Sequence, residues 1–203
     1  MAYTTINKST DNFNTKLYTG NSGTQALTGV GFQPDWVWIK GRSTAYSHNI
    51  YDSVRGVTKI IKSNSDSSED TQSTSLTAFG TDGFTLGSYD ESNYNGRTYA
   101  SWNWKAGGAG SANTAGSINS TVSVNQTAGF SIVSFVGNAT SGATVGHGLN
   151  AVPKVVIIKG RDSDLEWRSY FSPIGAGKYM VLNETYAEAT GSNFMNNTAP
   201  TSS

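Results

Sequence analysis

Pro34-Asp35-Trp36-Val37-Trp38-Ile39-Lys40-Gly41-Arg42 and Pro153-Lys154-Val155-Val156-Ile157-Ile158-Lys159-Gly160-Arg161 are one segment written twice. Each places four aromatic or β-branched residues between a proline region and a Lys-Gly-Arg triplet. A short continuous apolar run of this composition, closed by a glycine, reads as a strand with both faces covered. The spacing of 119 residues between Pro34 and Pro153 persists downstream without a gap. It pairs Tyr51 with Tyr170, Ser53 with Ser172, Gly56 with Gly175, Lys59 with Lys178, Asn64 with Asn183, Glu69 with Glu188 and Thr71 with Thr190. Upstream, a spacing of 117 sets Phe13 against Phe130 and Tyr18-Thr19-Gly20-Asn21 against Phe135-Val136-Gly137-Asn138. Self-similarity over this length is the signature of a duplicated structural unit.

The repeat divides the chain into an N-terminal arm (1–11), a first β-sandwich repeat (12–106), a Gly/Ser-rich linker (107–117) and a second repeat (118–203). Gly107–Gly116 has the composition of a flexible connection. The second copy reads as incomplete. After Thr71 the first continues through Gly83-Phe84-Thr85-Leu86-Gly87 and Arg97-Thr98-Tyr99-Ala100-Ser101-Trp102-Asn103-Trp104-Lys105, whereas only residues 191–203 follow Thr190. The last two strands are therefore expected to be lacking, either because the chain is a piece of a longer one or because a neighbouring chain supplies the strand. The first is favoured, since a bare sheet edge invites aggregation.

Other segments carry period-2 patterns between turn signals such as Asp82-Gly83 and Asn95-Gly96. Lys59-Ile60-Ile61-Lys62 reads as a strand with one wet face, and Thr185–Thr190 as the one candidate helical turn. Many short strands without a long amphipathic helix predict an all-β fold: two tandem β-sandwich modules of jelly-roll, lectin-like type.

Composition narrows the function. Charged residues make up 14% of the chain and apolar ones 36%, with zero formal net charge. That supports a packed core and gives no basic surface for nucleic acid. No apolar run reaches the ~18–20 residues of a membrane span, and Met1–Asn7 has no secretory-signal pattern. Cysteine is absent, which removes disulfides and suits synthesis in a reducing cytoplasm.

Sites for chemistry are sparse. His48 and His147 belong to no metal-spaced cluster, and no cofactor motif is visible, so no metal and no cofactor are expected. Asp35, Asp52, Glu69 and Asp70 are the carboxylates that could form a hydrolytic pair. Lys154 and Phe171 stand where the second copy would need Asp35 and Asp52, so ion pairs with Arg42 and Arg55 are the simpler reading, and no catalytic residue is assigned. The charges present in both copies (Lys40, Arg42 and Glu69; Lys159, Arg161 and Glu188) read as structural, with arginine and glutamate pairing across a sheet end. Trp36, Trp38, Trp102 and Trp104 sit in strands and read as core. Tyr46, His48, Tyr89 and Tyr94 fall in or beside polar loops and are the candidate ligand-binding residues, with aromatic faces suited to a sugar ring.

Phe32–Arg42, Asp52-Ser53-Val54-Arg55-Gly56, Gly83–Gly87 and Ala100–Lys105 together resemble a repeat-domain family of marine, cyanophage-like bacteriophage tail-fibre or virion-associated proteins. Gly142–Leu149 and Asn196–Ser203 resemble it too. The resemblance implies a non-enzymatic structural or adhesion component of a virion, made in the host cytoplasm: a tail-fibre or fibre-attachment segment, or alternatively a capsid decoration protein or a module for host surface glycans. Implied partners are other virion proteins and further copies of the chain, for example in a trimer, without nucleic acid or membrane insertion. The family lends no catalytic residues. Its Asp-Ser-x-Arg-Gly pattern is broken in the second copy, where Phe171 and Ile174 replace Asp52 and Arg55.

Overall fold

A computed structural model describes residues 6–203. The arm expected over 1–11 lies partly outside the described residues, and Ser9–Asp11 form one 3-10 turn. The chain is all-β. Its strands in order are β1 (Phe13–Thr19), β2 (Gln25–Thr28), β3 (Trp36–Gly41), β4 (His48–Asp52), β5 (Gly56–Lys62), β6 (Asp70–Thr71), β7 (Leu76–Gly80), β8 (Gly83–Leu86), β9 (Thr98–Trp104), β10 (Ser111–Asn113), β11 (Ser120–Asn125), β12 (Phe130–Phe135), β13 (Val155–Ile158), β14 (Arg168–Phe171), β15 (Lys178–Val181) and β16 (Ala189–Thr190).

The first half is a two-layer sandwich. One sheet has the order β1-β9-β3-β4-β5-β6 and the other β2-β8-β7. The first strand pairs with the last and the second with the penultimate, while β3 to β6 run as a meander. Period-2 alternation aims Tyr18, Val37, Ile39, Tyr51, Ile60 and Tyr99 inward from the larger sheet. They meet Leu27, Leu76, Phe84 and Leu86 of the smaller one in a single buried cluster. Within the smaller sheet β8 approaches β2 tightly at Gly83, whose φ is +150°; a Cβ there would lie 1.9 Å from Leu27 O, so only glycine fits.

The other face of the large sheet is also covered. Trp36, Trp38, Trp102 and Trp104 alternate with the inward residues and form an aromatic layer, with Trp38 and Trp102 rings 6.3 Å apart. Phe130 of β12 stands on this layer, 6.1 Å from Trp104 and 6.4 Å from Trp36. Trp167 completes it, buried with Ile50 and Ile61. The wet face expected for Lys59–Lys62 is therefore corrected: Ile60 faces the sandwich core and Ile61 the aromatic layer, and both are buried.

In the second half, β13-β14-β15-β16 repeats the order and register of β3-β4-β5-β6. Val37 opposes Tyr51 and Val156 opposes Tyr170; Asn49 opposes Lys62 and Arg168 opposes Val181; Lys59 opposes Thr71 and Lys178 opposes Thr190. Each pair recurs at the sequence spacing. The joining strand does not recur: β12, the counterpart of β1, pairs with β11, and the second half is split into β10-β11-β12 and β13-β14-β15-β16. Val155–Ile158 therefore departs from the buried strand expected of its composition, with Val155 and Ile157 48% and 47% exposed.

Two further expectations are corrected. The linker is not a flexible tether: its middle forms β10, paired with β11, and Gly107 N–H donates to Ser123 Oγ at 2.8 Å while Ser53 Oγ–H donates to Gly108 O. Thr185–Thr190 holds no helical turn and ends in β16, where Ala189 opposes Tyr179. Among the described residues no helix is long and apolar enough to cross a membrane.

Candidate functional site

Charge is scarce in this chain, so the place where it gathers is informative. The turn Asp52–Gly56 leads from β4 into β5. Asp52 Oδ1 accepts the backbone N–H groups of Val54 and Arg55 at 3.1 and 2.9 Å, the local bonding that makes Asp a turn residue. The turn folds the Arg55 guanidinium back onto Asp52, to whose Oδ2 its Nε–H donates. Arg55 also donates to Ile50 O at 3.0 Å, Lys59 O at 3.3 Å and Glu69 Oε2 at 3.2 Å. Its side chain is 4% exposed and that of Asp52 2%, so both charges are held inside and matched by hydrogen bonds.

Glu69 joins the halves. The first copy's glutamate pairs with the second copy's arginine: Arg161 donates from Nε to Oε2 and from Nη2 to Oε1, each at 3.0 Å, in a planar fork. Glu69 N–H donates to Arg161 O at 2.7 Å, and Arg161 Nη1 reaches Ser134 Oγ at 3.1 Å. This corrects the expectation of pairing within each copy. Arg42 is exposed at the end of β3, and Glu188 pairs with Lys178. The lysines differ likewise: Lys40 Nζ donates to Tyr46 O at 2.6 Å in its own half, whereas Lys159 Nζ donates across the seam to Asp66 O at 2.8 Å. Asp35 pairs with no arginine; its Oδ2 accepts Ala106 N–H at 2.7 Å.

Burial alone raises the Glu69 pKa, and the hydrogen bonds and charges of Arg161 and Arg55 more than reverse it, leaving the carboxyl below its ordinary value. A folded-state pKa below the unfolded one gives stabilisation that is complete above the unfolded value of about 4.3 and is lost as pH falls through the folded one. Urea unfolding is therefore expected to show a falling midpoint in acid below that unfolded value. Glu69→Gln is expected to flatten this acid limb while lowering stability at neutral pH; an unchanged slope would show that other carboxylates set it.

Trp167 is the apolar half of the seam. It occupies the repeat position of His48 and inserts its indole beside Trp36, Trp38, Ile50 and Ile61. Its Nε1–H donates to Lys62 O at 2.9 Å and Ser65 O at 3.1 Å. Ser68 N–H, donating to Asp164 Oδ1 at 2.8 Å, adds a further bond across the halves.

The candidate ligand-binding residues do not converge on one pocket. Tyr46 and Tyr89 are half-buried and pack against the sandwich core. Tyr94 is exposed, with Arg97 over its ring at 5.8 Å. His48 lies opposite Lys40 in the sheet, and burial, then the Lys40 charge, lowers its pKa. His147 Nδ1 accepts Leu149 N–H at 3.1 Å on its own loop, and its Nε2 lies 3.2 Å from Thr201 O. Among the described residues no three His, Asp or Glu side chains gather as a metal cluster would require. A hollow that the sequence did not point to lies in the second half. Tyr179, Phe194, Arg168, Asn193 and Asn197 line it, with the Arg168 guanidinium 5.0 Å over the Tyr179 ring.

A family model for DUF7483, a domain of unknown function, matches residues 8–203. The chain belongs to the DUF7483 family. No curated protein and no solved structure matches it. The DUF7483 match takes in both halves and the seam between them, so Glu69, Arg161 and Trp167 all lie within the family domain. Sequence reasoning missed Trp167 and the crossed Glu69–Arg161 pair. The available signal was a large aromatic present in one copy only, at a position the other fills with a histidine.

Proposed function

We propose that this DUF7483 chain is a non-enzymatic structural and adhesion component of a bacteriophage particle, a tail-fibre or fibre-attachment segment made in the host cytoplasm and carried by the virion. The observation that carries the structural part is the use of its few charges. Asp52, Arg55, Glu69 and Arg161 bond to one another and to backbone at the seam, leaving no convergent set of free titratable groups there. Rigidly joined β-units present the same surface in every copy of a symmetric assembly, where weak contacts add through multivalency. The viral setting rests on the resemblance of the Phe32–Arg42 and Ala100–Lys105 motifs.

Mass spectrometry of purified particles tests this reading. The chain is expected among the virion proteins in multiple copies, and its absence from intact particles would overturn it. Cryo-electron microscopy of the same particles separates a fibre from a capsid decoration protein by location.

A second reading, a module for host surface glycans, is favoured by the hollow around Tyr179, Phe194 and Arg168. It combines aromatic faces with amide and guanidinium donors, the pairing a sugar ring needs. Binding on a glycan array that vanished with Arg168→Ala would support it.

A further inference from the structure

The seam leaves one strand of the repeat without a neighbour. In the first half β3 is flanked by β4 and β9, and the register with β9 sets Trp36 opposite Trp104 and Trp38 opposite Trp102. In the second half β13 pairs with β14 alone and stands at the edge of its sheet. Ser172 N–H donates to Lys154 O at 2.9 Å, just as Ser53 N–H donates to Asp35 O. The hydrogen-bonded pairs with β14 therefore fall at 154, 156 and 158 by antiparallel alternation. The N–H and C=O groups of Val155 and Ile157 point to the open side, as those of Trp36 and Trp38 point to β9. The side chains of Val155 and Ile157 take the places of Trp36 and Trp38 and are about half exposed. Met180, in the row Ile157–Ser169–Met180 across the sheet, is 41% exposed. Edge strands are ordinarily blunted by a charge, a proline or a covering loop; β13 is Val-Val-Ile-Ile.

We propose that the open edge of β13 is a docking site for an extended strand with the chemistry of β9. The partner segment runs antiparallel to β13 and bears small residues alternating with large aromatic ones. Its backbone pairs with Val155 and Ile157, and its aromatic side chains lie across those two, as Trp104 and Trp102 lie across Trp36 and Trp38. The occupant is taken from the first half, where a strand of this kind fills the same place beside a strand of identical register. It comes from another polypeptide segment, because β9 of each copy is already held between β1 and β3. Strand addition at an exposed edge is a common mode of peptide capture, with main-chain bonds giving affinity and alternate side chains specificity. The inference does not depend on the viral reading.

The test uses the full chain and a fluorescein-labelled peptide of the sequence of residues 98–105, followed by fluorescence anisotropy. Saturable binding is expected, and a peptide with both tryptophans replaced by serine is expected to bind at least tenfold more weakly. Ile157→Pro removes an N–H from the open side without touching the β14 ladder and is expected to weaken binding at least tenfold. Ile157→Lys, a charge of the kind that protects natural edges, is expected to do the same should the proline variant fold poorly. Leu17→Lys, at an exposed position on β1, is expected to leave binding unchanged. No saturable binding would overturn the proposal. Binding indifferent to both Ile157 variants would overturn it too, since the peptide would then be displacing β9 in the first half. A chain that sediments as a dimer dissolved by Ile157→Lys would show that β13 pairs with a second copy and would equally overturn it.

Discussion

Trp167→Ala is expected to destabilise the chain by about 3–5 kcal/mol, in the range for truncating a buried aromatic residue. For a domain of this size that is a fall of roughly 10 °C in Tm. The effect has two parts. The lost indole opens a cavity against Trp36, Trp38, Ile50 and Ile61, and the carbonyls of Lys62 and Ser65 lose their shared donor. Because the residue joins the halves and lies outside the sandwich core, the loss is expected to fall on their docking. Far-UV circular dichroism should retain the β signal while limited proteolysis becomes faster in residues 158–168. Trp167→Phe keeps most of the volume and loses the donor, so it is expected to recover more than half of the stability. A melting temperature unchanged in Trp167→Ala would mean that the halves are not coupled.

Arg55→Ala is expected to cost a similar ~3–5 kcal/mol, for an electrostatic reason. Asp52 and Glu69 both lean on this guanidinium, and its removal leaves Asp52 buried without the cation it pairs with and Glu69, 11% exposed, with Arg161 alone. The penalty is that of uncompensated buried charge, so it carries a pH signature. Protonating Glu69 removes its charge, and the gap between wild type and variant is expected to narrow as pH falls through the ordinary glutamate range. Urea titrations of both proteins across that range check the sign; a constant gap would assign the loss to packing. Arg55→Lys is expected to recover little, because an ammonium cannot reproduce the fork that reaches Asp52, Ile50 O and Glu69 together.

The sequence was most readable where one face of one strand decided the pattern. The apolar run of Trp36–Ile39, the alternation in Tyr99–Trp104 and the spacing shared by Pro34 and Pro153 are enough to place β3, β9 and the recurring meander. What they could not convey is which neighbour covers a face. Trp36–Ile39 and Val155–Ile158 read alike, yet one is enclosed by β9 and the aromatic layer while the other lies at an edge. Composition records what a strand tolerates, and burial depends on a partner elsewhere in the chain. The charge pairs were hidden for the same reason. Glu69 and Arg161 are 92 residues apart, and two copies with the same charges allow pairing within or across them. Small segments misled as well: glycine-rich 107–117 admits a strand because β11 offers it an edge, and Thr185–Thr190 ends in the strand Ala189–Thr190 because β15 does.

All five tryptophans of the chain belong to the layer between the halves. Its ultraviolet emission is thus chiefly a gauge of one seam. Trp38 and Trp102, opposite each other on β3 and β9 with rings 6.3 Å apart, should also couple as chromophores, giving an exciton doublet in the near ultraviolet that survives parting of the halves and disappears only when the β3–β9 pairing is lost.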